Sequence, residues 1–162
     1  MDIAAQLGAA LKSHGLMLAT AESCTGGGVA QAITEVAGSS AWFERGFVTY
    51  SNLSKQQLLG VRETTLTQYG AVSEMTAREM VAGALQHSAA QVALAVTGIA
   101  GPDGGTADKP VGTVWFAWGI KDGETRAQRY QLEGNRAEVR AQAVDIALKG
   151  VVDLLNQSTE MA

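Results

Sequence analysis

Cysteine, histidine and proline are nearly missing from this chain: it has one Cys, two His and two Pro in 162 residues. A lone Cys24 excludes an intramolecular disulfide and any zinc site built from several cysteines. His14 and His87 lie far apart in sequence and exclude a His-rich metal site, so no metal or other cofactor is expected. A hydrolase on this chain therefore needs a base other than histidine. Runs of Lys or Arg are also absent, and the 12 basic residues are outnumbered by 16 acidic ones. Phosphate neutralisation along a nucleic acid needs a basic surface, so nucleic acid is not an expected partner. No stretch reaches the ~18 consecutive apolar residues of a membrane span. The first residues have neither a basic start nor an apolar block, so they do not read as a secretory signal. The expected setting is cytoplasmic, with no membrane partner.

What is abundant is apolar residues, at 46%, and glycine, with 19. Such a chain can bury a core, and glycines in excess gather at turns, helix ends and close backbone approaches. Without linkers, repeats or low-complexity tracts, residues 1–162 are expected to form a single domain.

The apolar spacing of Ile3, Leu7, Ala10 and Leu11 predicts a first helix stopped by Gly15. Leu16 to Thr20 is of strand length. Val29, Ala30, Ile33 and Val36 return to helical spacing before Gly38. Trp42 to Tyr50 reads as a strand, with Ser51-Asn52 as a turn or helix cap. Short helices are predicted from Lys55 to Leu59 and from Arg62 to Gln68. Ser73 is the expected N-cap of a longer helix. Val92 to Val96 is a central-strand run. Val111 to Ile120 and Thr125 to Leu132 form an expected antiparallel hairpin. Trp115 and Trp118 then fall on opposite faces of a strand, as packing residues. Asn135 with Glu138 resembles a capping box opening a long final helix. The expected fold class is α/β: a three-layer α/β/α sandwich around a mixed, mostly parallel sheet of about five strands, with a C-terminal antiparallel hairpin.

Ligands in such sheets gather beyond the carboxyl ends of strands, and two glycine-rich junctions lie there. The first is Ser23-Cys24-Thr25-Gly26-Gly27-Gly28. Helix-start N–H groups can hold an anion or stabilise an oxyanion beside a nucleophile, which would be Ser23 or Cys24. The competing reading is a capped helix with small residues for close packing. The second junction, Thr97 to Gly105, fits neither a dinucleotide fingerprint nor a P-loop. It is either a source of N–H donors or a connection rich in required positive φ angles. Tyr50 and Lys55 sit just past a strand end. Lys55 is a solvated residue at a helix start unless it meets a nucleophile in space; a lysine is a base only when its pKa is driven well down. Cys24 reads as a small packed residue, and His87 as structural.

These blocks resemble the CinA C-terminal domain family, which includes stand-alone nicotinamide mononucleotide deamidases. The resemblance runs in order through Ala21-Glu22-Ser23-Cys24-Thr25-Gly26-Gly27, Gly38-Ser39-Ser40 and Gly46 to Asn52 with Lys55. It continues through Gly70-Ala71-Val72-Ser73, Thr97 to Gly105 and Lys109 to Val114. It implies an α/β/α amidohydrolase with Ser23 as nucleophile, Lys55 as general base and Tyr50 as an assisting hydroxyl. It further implies hydrolysis of the nicotinamide mononucleotide carboxamide in pyridine nucleotide salvage, without a cofactor, in a cytoplasmic homodimer. The large N-terminal domain of longer relatives is expected to be absent. Thr25, Gly26 and Gly27 are the candidate oxyanion donors. Thr97, Gly98, Gly101, Gly105, Arg136 and Arg140 are candidate substrate contacts, with the Gly98 to Gly105 loop and Arg136 or Arg140 for the phosphate. The alternative from another class is a weak or inactive nucleotide-binding paralogue linked to competence or damage responses, in which Ser23 only caps a helix.

Overall fold

The computed structural model describes residues 2–161. Five strands, β1 (Leu18–Glu22), β2 (Phe43–Val48), β3 (Val92–Gly98), β4 (Thr113–Ile120) and β5 (Thr125–Gln131), form one sheet in the order β2-β1-β3-β4-β5. β1 runs parallel to β2 and β3, while β3–β4 and β4–β5 are antiparallel. The expected mixed sheet and late hairpin are both present. β1 sits between β2 and β3, so the chain leaves the neighbouring carboxyl ends of β1 and β3 in opposite directions. That junction is the topological switch point of the sheet, where crevices form.

Side chains alternate across a strand, and β3 uses the alternation asymmetrically. Val92, Leu94 and Val96 face one layer, made of α1 (Ile3–His14), α2 (Gly28–Thr34) and α6 (Arg136–Met161). Ala93 and Ala95 face the other, made of α3 (Asn52–Leu59), α4 (Glu63–Tyr69) and α5 (Glu74–Gln86). The two tryptophans of β4 divide as expected. Trp118 is buried under α6 and donates its indole N–H to Ala147 O at 2.8 Å, and Trp115 packs on the α5 side.

α5 comes so close to the end of α3 that a Cβ on Gly83 would lie 1.9 Å from the carbonyl oxygen of Leu59. Backbone cannot yield as a side chain does, so Gly83→Ala is expected to destabilise the protein by at least about 1–3 kcal/mol. Thermal unfolding should show a Tm lower by several degrees; an unchanged Tm would mean that this approach is not tight.

Strand limits differ from their expected places by one or two residues, and both ends of β1 have a local reason. The strand after α1 starts at Leu18 rather than Leu16, because Gly15 and Leu16 donate their N–H groups to Lys12 and Leu11 carbonyls and close the helix. At the other end it runs on through Glu22, whose charge is satisfied internally. The helix after it stops at Thr34, and Gly38 instead opens a short 3₁₀ turn over Ser39–Ala41.

Candidate active site

The chain turns out of β1 through Ser23 and re-enters helix at Gly28. Ser23 N–H is held by Val96 O at 3.0 Å, which fixes the serine against the end of β3. Lys55 arrives from α3. Ser51 caps that helix in a reciprocal capping box with Ser54, and Lys55 follows on the first turn, facing the sheet. Its Nζ lies 3.0 Å from Ser23 Oγ and 2.8 Å from the carbonyl oxygen of Thr49. The two side chains stand 32 positions apart in sequence. Lys55 is 1% exposed and Ser23 8%. No carboxylate forms an ion pair with Lys55 among the described residues. Burial therefore drives the Lys55 pKa below its ordinary value of 10.5, with the neighbouring Cys24 thiol a smaller influence in the opposite sense. A buried, unpaired amine touching a serine hydroxyl is the arrangement under which lysine serves as a base.

The pair lies in a pocket of about 270 Å³ whose walls include Tyr50, Asn52, Ala71, Val72 and the Thr97–Gly101 turn with Asp103 and Gly104. Thr97 is buried and donates its hydroxyl to Ala71 O at 2.8 Å. Gly98 and Gly101 are needed for packing: a Cβ would come within 2.7 Å of Val114 at the first and 2.4 Å of Val111 at the second. Arg136 spans the mouth, donating to Gly101 O at 2.8 Å and to the Tyr50 hydroxyl at 3.0 Å.

The expected site residues do not all face the pocket. Tyr50 is 60% exposed and its hydroxyl accepts from Arg136. The groups that hold Lys55 are Ser23 and the Thr49 carbonyl, and among the described residues Tyr50 makes no hydrogen bond to the amine, although it lines the pocket. Gly26 and Gly27 do not aim their N–H groups at the pocket: the first donates to Ser23 O, the second to the Glu22 carboxylate. The Thr25 hydroxyl is likewise turned onto Glu22. Arg140 donates to the carbonyls of Cys24 and Thr25 and does not line the pocket, and Gly105 packs against Val111 outside it. Ser23 does not cap α2 either; its hydroxyl is on Lys55, and the α2 N-cap position is Gly27. Cys24 is buried, and its thiol pKa is pushed up to about 11, chiefly by that burial, which leaves it un-ionised and packed as expected.

Sequence reasoning missed Glu22, which is fully buried. Its signal was present: an acidic residue ending an apolar run, directly before a glycine turn. Thr49 and Asp103 had no comparable signal. Among the described residues, no group of three or more His, Cys, Asp or Glu is placed to hold a metal ion, and no helix is long and apolar enough to cross a membrane.

A three-layer α/β/α fold with a buried serine–lysine pair at its switch point defines the structural class. Residues 1–155 match the CinA C-terminal domain family, and the chain belongs to that family. It is 54% identical over 159 residues to the nicotinamide-nucleotide amidohydrolase PncC of Escherichia coli K12, covering 98% of this chain and 96% of that protein. The PncC protein of Enterobacter agglomerans is 56% identical over 148 residues, covering 91% and 90% of the two chains. The crystal structure of the competence/damage inducible protein CihA from Agrobacterium tumefaciens superposes with a TM-score of 0.90 at 47% identity, covering 96% of each chain.

Proposed function

We propose that this protein hydrolyses the carboxamide of nicotinamide mononucleotide to the carboxylate and ammonia, by a Ser/Lys mechanism, in pyridine nucleotide salvage. The observation that carries the reading is the 3.0 Å approach of a buried, unpaired Lys55 Nζ to Ser23 Oγ. The names of the similar amidohydrolases support the substrate class.

Neutral Lys55 accepts the Ser23 proton as Oγ bonds to the amide carbon and the carbonyl electrons move to oxygen. Collapse of this adduct breaks the C–N bond, and the Lys55 proton leaves with the nitrogen as ammonia. Water then attacks the resulting ester, Lys55 takes the water's proton, and that proton returns to Ser23 Oγ as the C–O bond breaks. The Thr49 carbonyl keeps the amine aimed throughout. Within the Ser23 turn, the N–H groups of Cys24 and Thr25 meet no backbone or carboxylate acceptor among the described residues, and they are the oxyanion donors of this proposal. A good donor of this kind is worth about 3–4 kcal/mol in the transition state. Arg136, at the pocket mouth, is the proposed phosphate contact, with Thr97, Gly98 and Gly101 forming the wall behind.

Ammonia release from nicotinamide mononucleotide tests the activity. Rapid quenching during turnover, followed by peptide mass spectrometry, tests the route: an ester between Ser23 and the carboxyl group of nicotinate mononucleotide, ribose phosphate retained, is expected on the peptide containing Ser23. Release of ammonia with the adduct on another residue, or no release at all, would overturn the proposal. The resemblance also supports a cytoplasmic setting and a homodimer; light scattering of the purified protein checks the dimer.

A further inference from the structure

The N-terminus of α2 is filled by the protein's own carboxylate. Glu22 Oε1 accepts from the Thr25 hydroxyl at 2.6 Å, from Gly27 N–H at 3.2 Å and from Val29 N–H at 2.9 Å. Its Oε2 accepts from Ala30 N–H at 3.0 Å. Four donors and the positive end of the helix compensate a charge with no access to water. This is a long-range cap, reaching from the end of β1 over the turn that carries Ser23.

Arg140 of α6 grips the same turn by its carbonyls. Its Nε donates to Cys24 O at 3.1 Å and its Nη2 to Thr25 O at 3.2 Å. Gly26 admits the guanidinium: it adopts φ +59, and a Cβ there would stand 3.3 Å from Arg140 Nη2. The N–H and hydroxyl side of the turn is thus tied to a carboxylate and its carbonyl side to a guanidinium. The main chain of Glu22 reaches the base as well. Its carbonyl accepts from Thr49 N–H at 2.8 Å, and the Thr49 carbonyl holds Lys55.

We infer that Glu22 and Arg140 are positioning residues, which together hold the Ser23 turn so that Oγ meets both Lys55 and the substrate carbonyl. This inference rests on the reading of Ser23 as nucleophile. Neither side chain lines the pocket, so both act through Ser23. Displacing a nucleophile by about an ångström can cost about 100-fold in rate without changing what the pocket binds. The signature is therefore a fall in kcat at constant KM. Arg140 as a phosphate ligand would instead raise KM, and only for a phosphorylated substrate.

The test compares Arg140→Met, Glu22→Gln, Ser23→Ala and wild type for ammonia release from nicotinamide mononucleotide and from its dephosphorylated riboside. Methionine keeps much of the arginine stem and removes the two donors. Glutamine keeps one acceptor oxygen and turns an amide NH₂ on a helix N–H. For both variants we expect kcat to fall about 10- to 100-fold on each substrate, with KM within about threefold of wild type. Arg140→Lys should recover part of kcat, since one ammonium can satisfy one carbonyl. An unchanged kcat in folded Arg140→Met overturns the inference. So does a rise in KM confined to the mononucleotide, which would return Arg140 to phosphate binding. Should Glu22→Gln fail to fold, the Arg140 variants decide alone. Activity retained by Ser23→Ala is a separate result, which defeats the nucleophile assignment itself.

Discussion

Lys55→Met is expected to lower ammonia release by about two to four orders of magnitude while leaving Tm at neutral pH undiminished. General-base catalysis contributes about 10²–10⁴-fold, and a serine with no proton acceptor loses that contribution with the base. The stability side follows from burial. Lys55 is 1% exposed without an ion pair, so its charged form is penalised in the folded state. Methionine has a similar length and carries no such penalty. The Thr49 carbonyl loses a donor in the exchange, an opposing cost of about 1–3 kcal/mol. The pH dependence separates these contributions. The folded-state pKa lies below the ordinary 10.5, so between the two values the unfolded chain binds more protons and stability rises with pH. Wild type should therefore gain Tm relative to Lys55→Met as the pH approaches 10.5. In the same direction, wild-type kcat/KM should show an acid limb that titrates below 10.5, as the amine loses its proton. A fully active Lys55→Met, or a Tm difference flat across this range, would remove the base from the mechanism.

Ser23→Ala should abolish turnover, by about 10⁴-fold or more, as for other hydrolases whose nucleophile and base act as a unit. Binding should survive, because alanine removes one oxygen and leaves the walls of the pocket in place. Calorimetric titration with nicotinamide mononucleotide checks this, and the affinity should stay within about threefold of that shown by Lys55→Met, since neither change closes the pocket. The inactive-paralogue alternative makes the opposite prediction. A serine that merely caps a helix loses about 0.5–2 kcal/mol of stability on truncation, with no turnover to lose. With Glu22 capping α2 and Ser23 bonded to Lys55, the stability change should be small and the activity change large.

Local pattern carried much of the architecture into view before any coordinates. The helix stop at Gly15, the Ser73 cap, the Asn135–Glu138 capping box and the β4–β5 hairpin all rest on contacts within a few residues. The hydrogen bonds and backbone angles that make them are short-range, so residue identity is enough to announce them. The two glycine junctions were legible for the same reason, and they do flank the pocket.

What each residue does there was not local. Composition could say that a histidine base was improbable, and resemblance could pair Ser23 with Lys55. The sequence alone left Lys55 indistinguishable from a solvated lysine, because its pKa depends on who surrounds it. Only the packing of α3 against the ends of β1 and β3 removes water from that amine and sets it 3.0 Å from Oγ. Glu22 shows the same division. An acidic residue after an apolar run is visible in one dimension. That it occupies the helix N-terminus read as an oxyanion site, and so redirects Gly27 and Thr25 away from the substrate, is decided by where β1 ends relative to α2. Spacing along the chain governs turns and caps; desolvation and long-range hydrogen bonds govern charge state, and those exist only once the layers close.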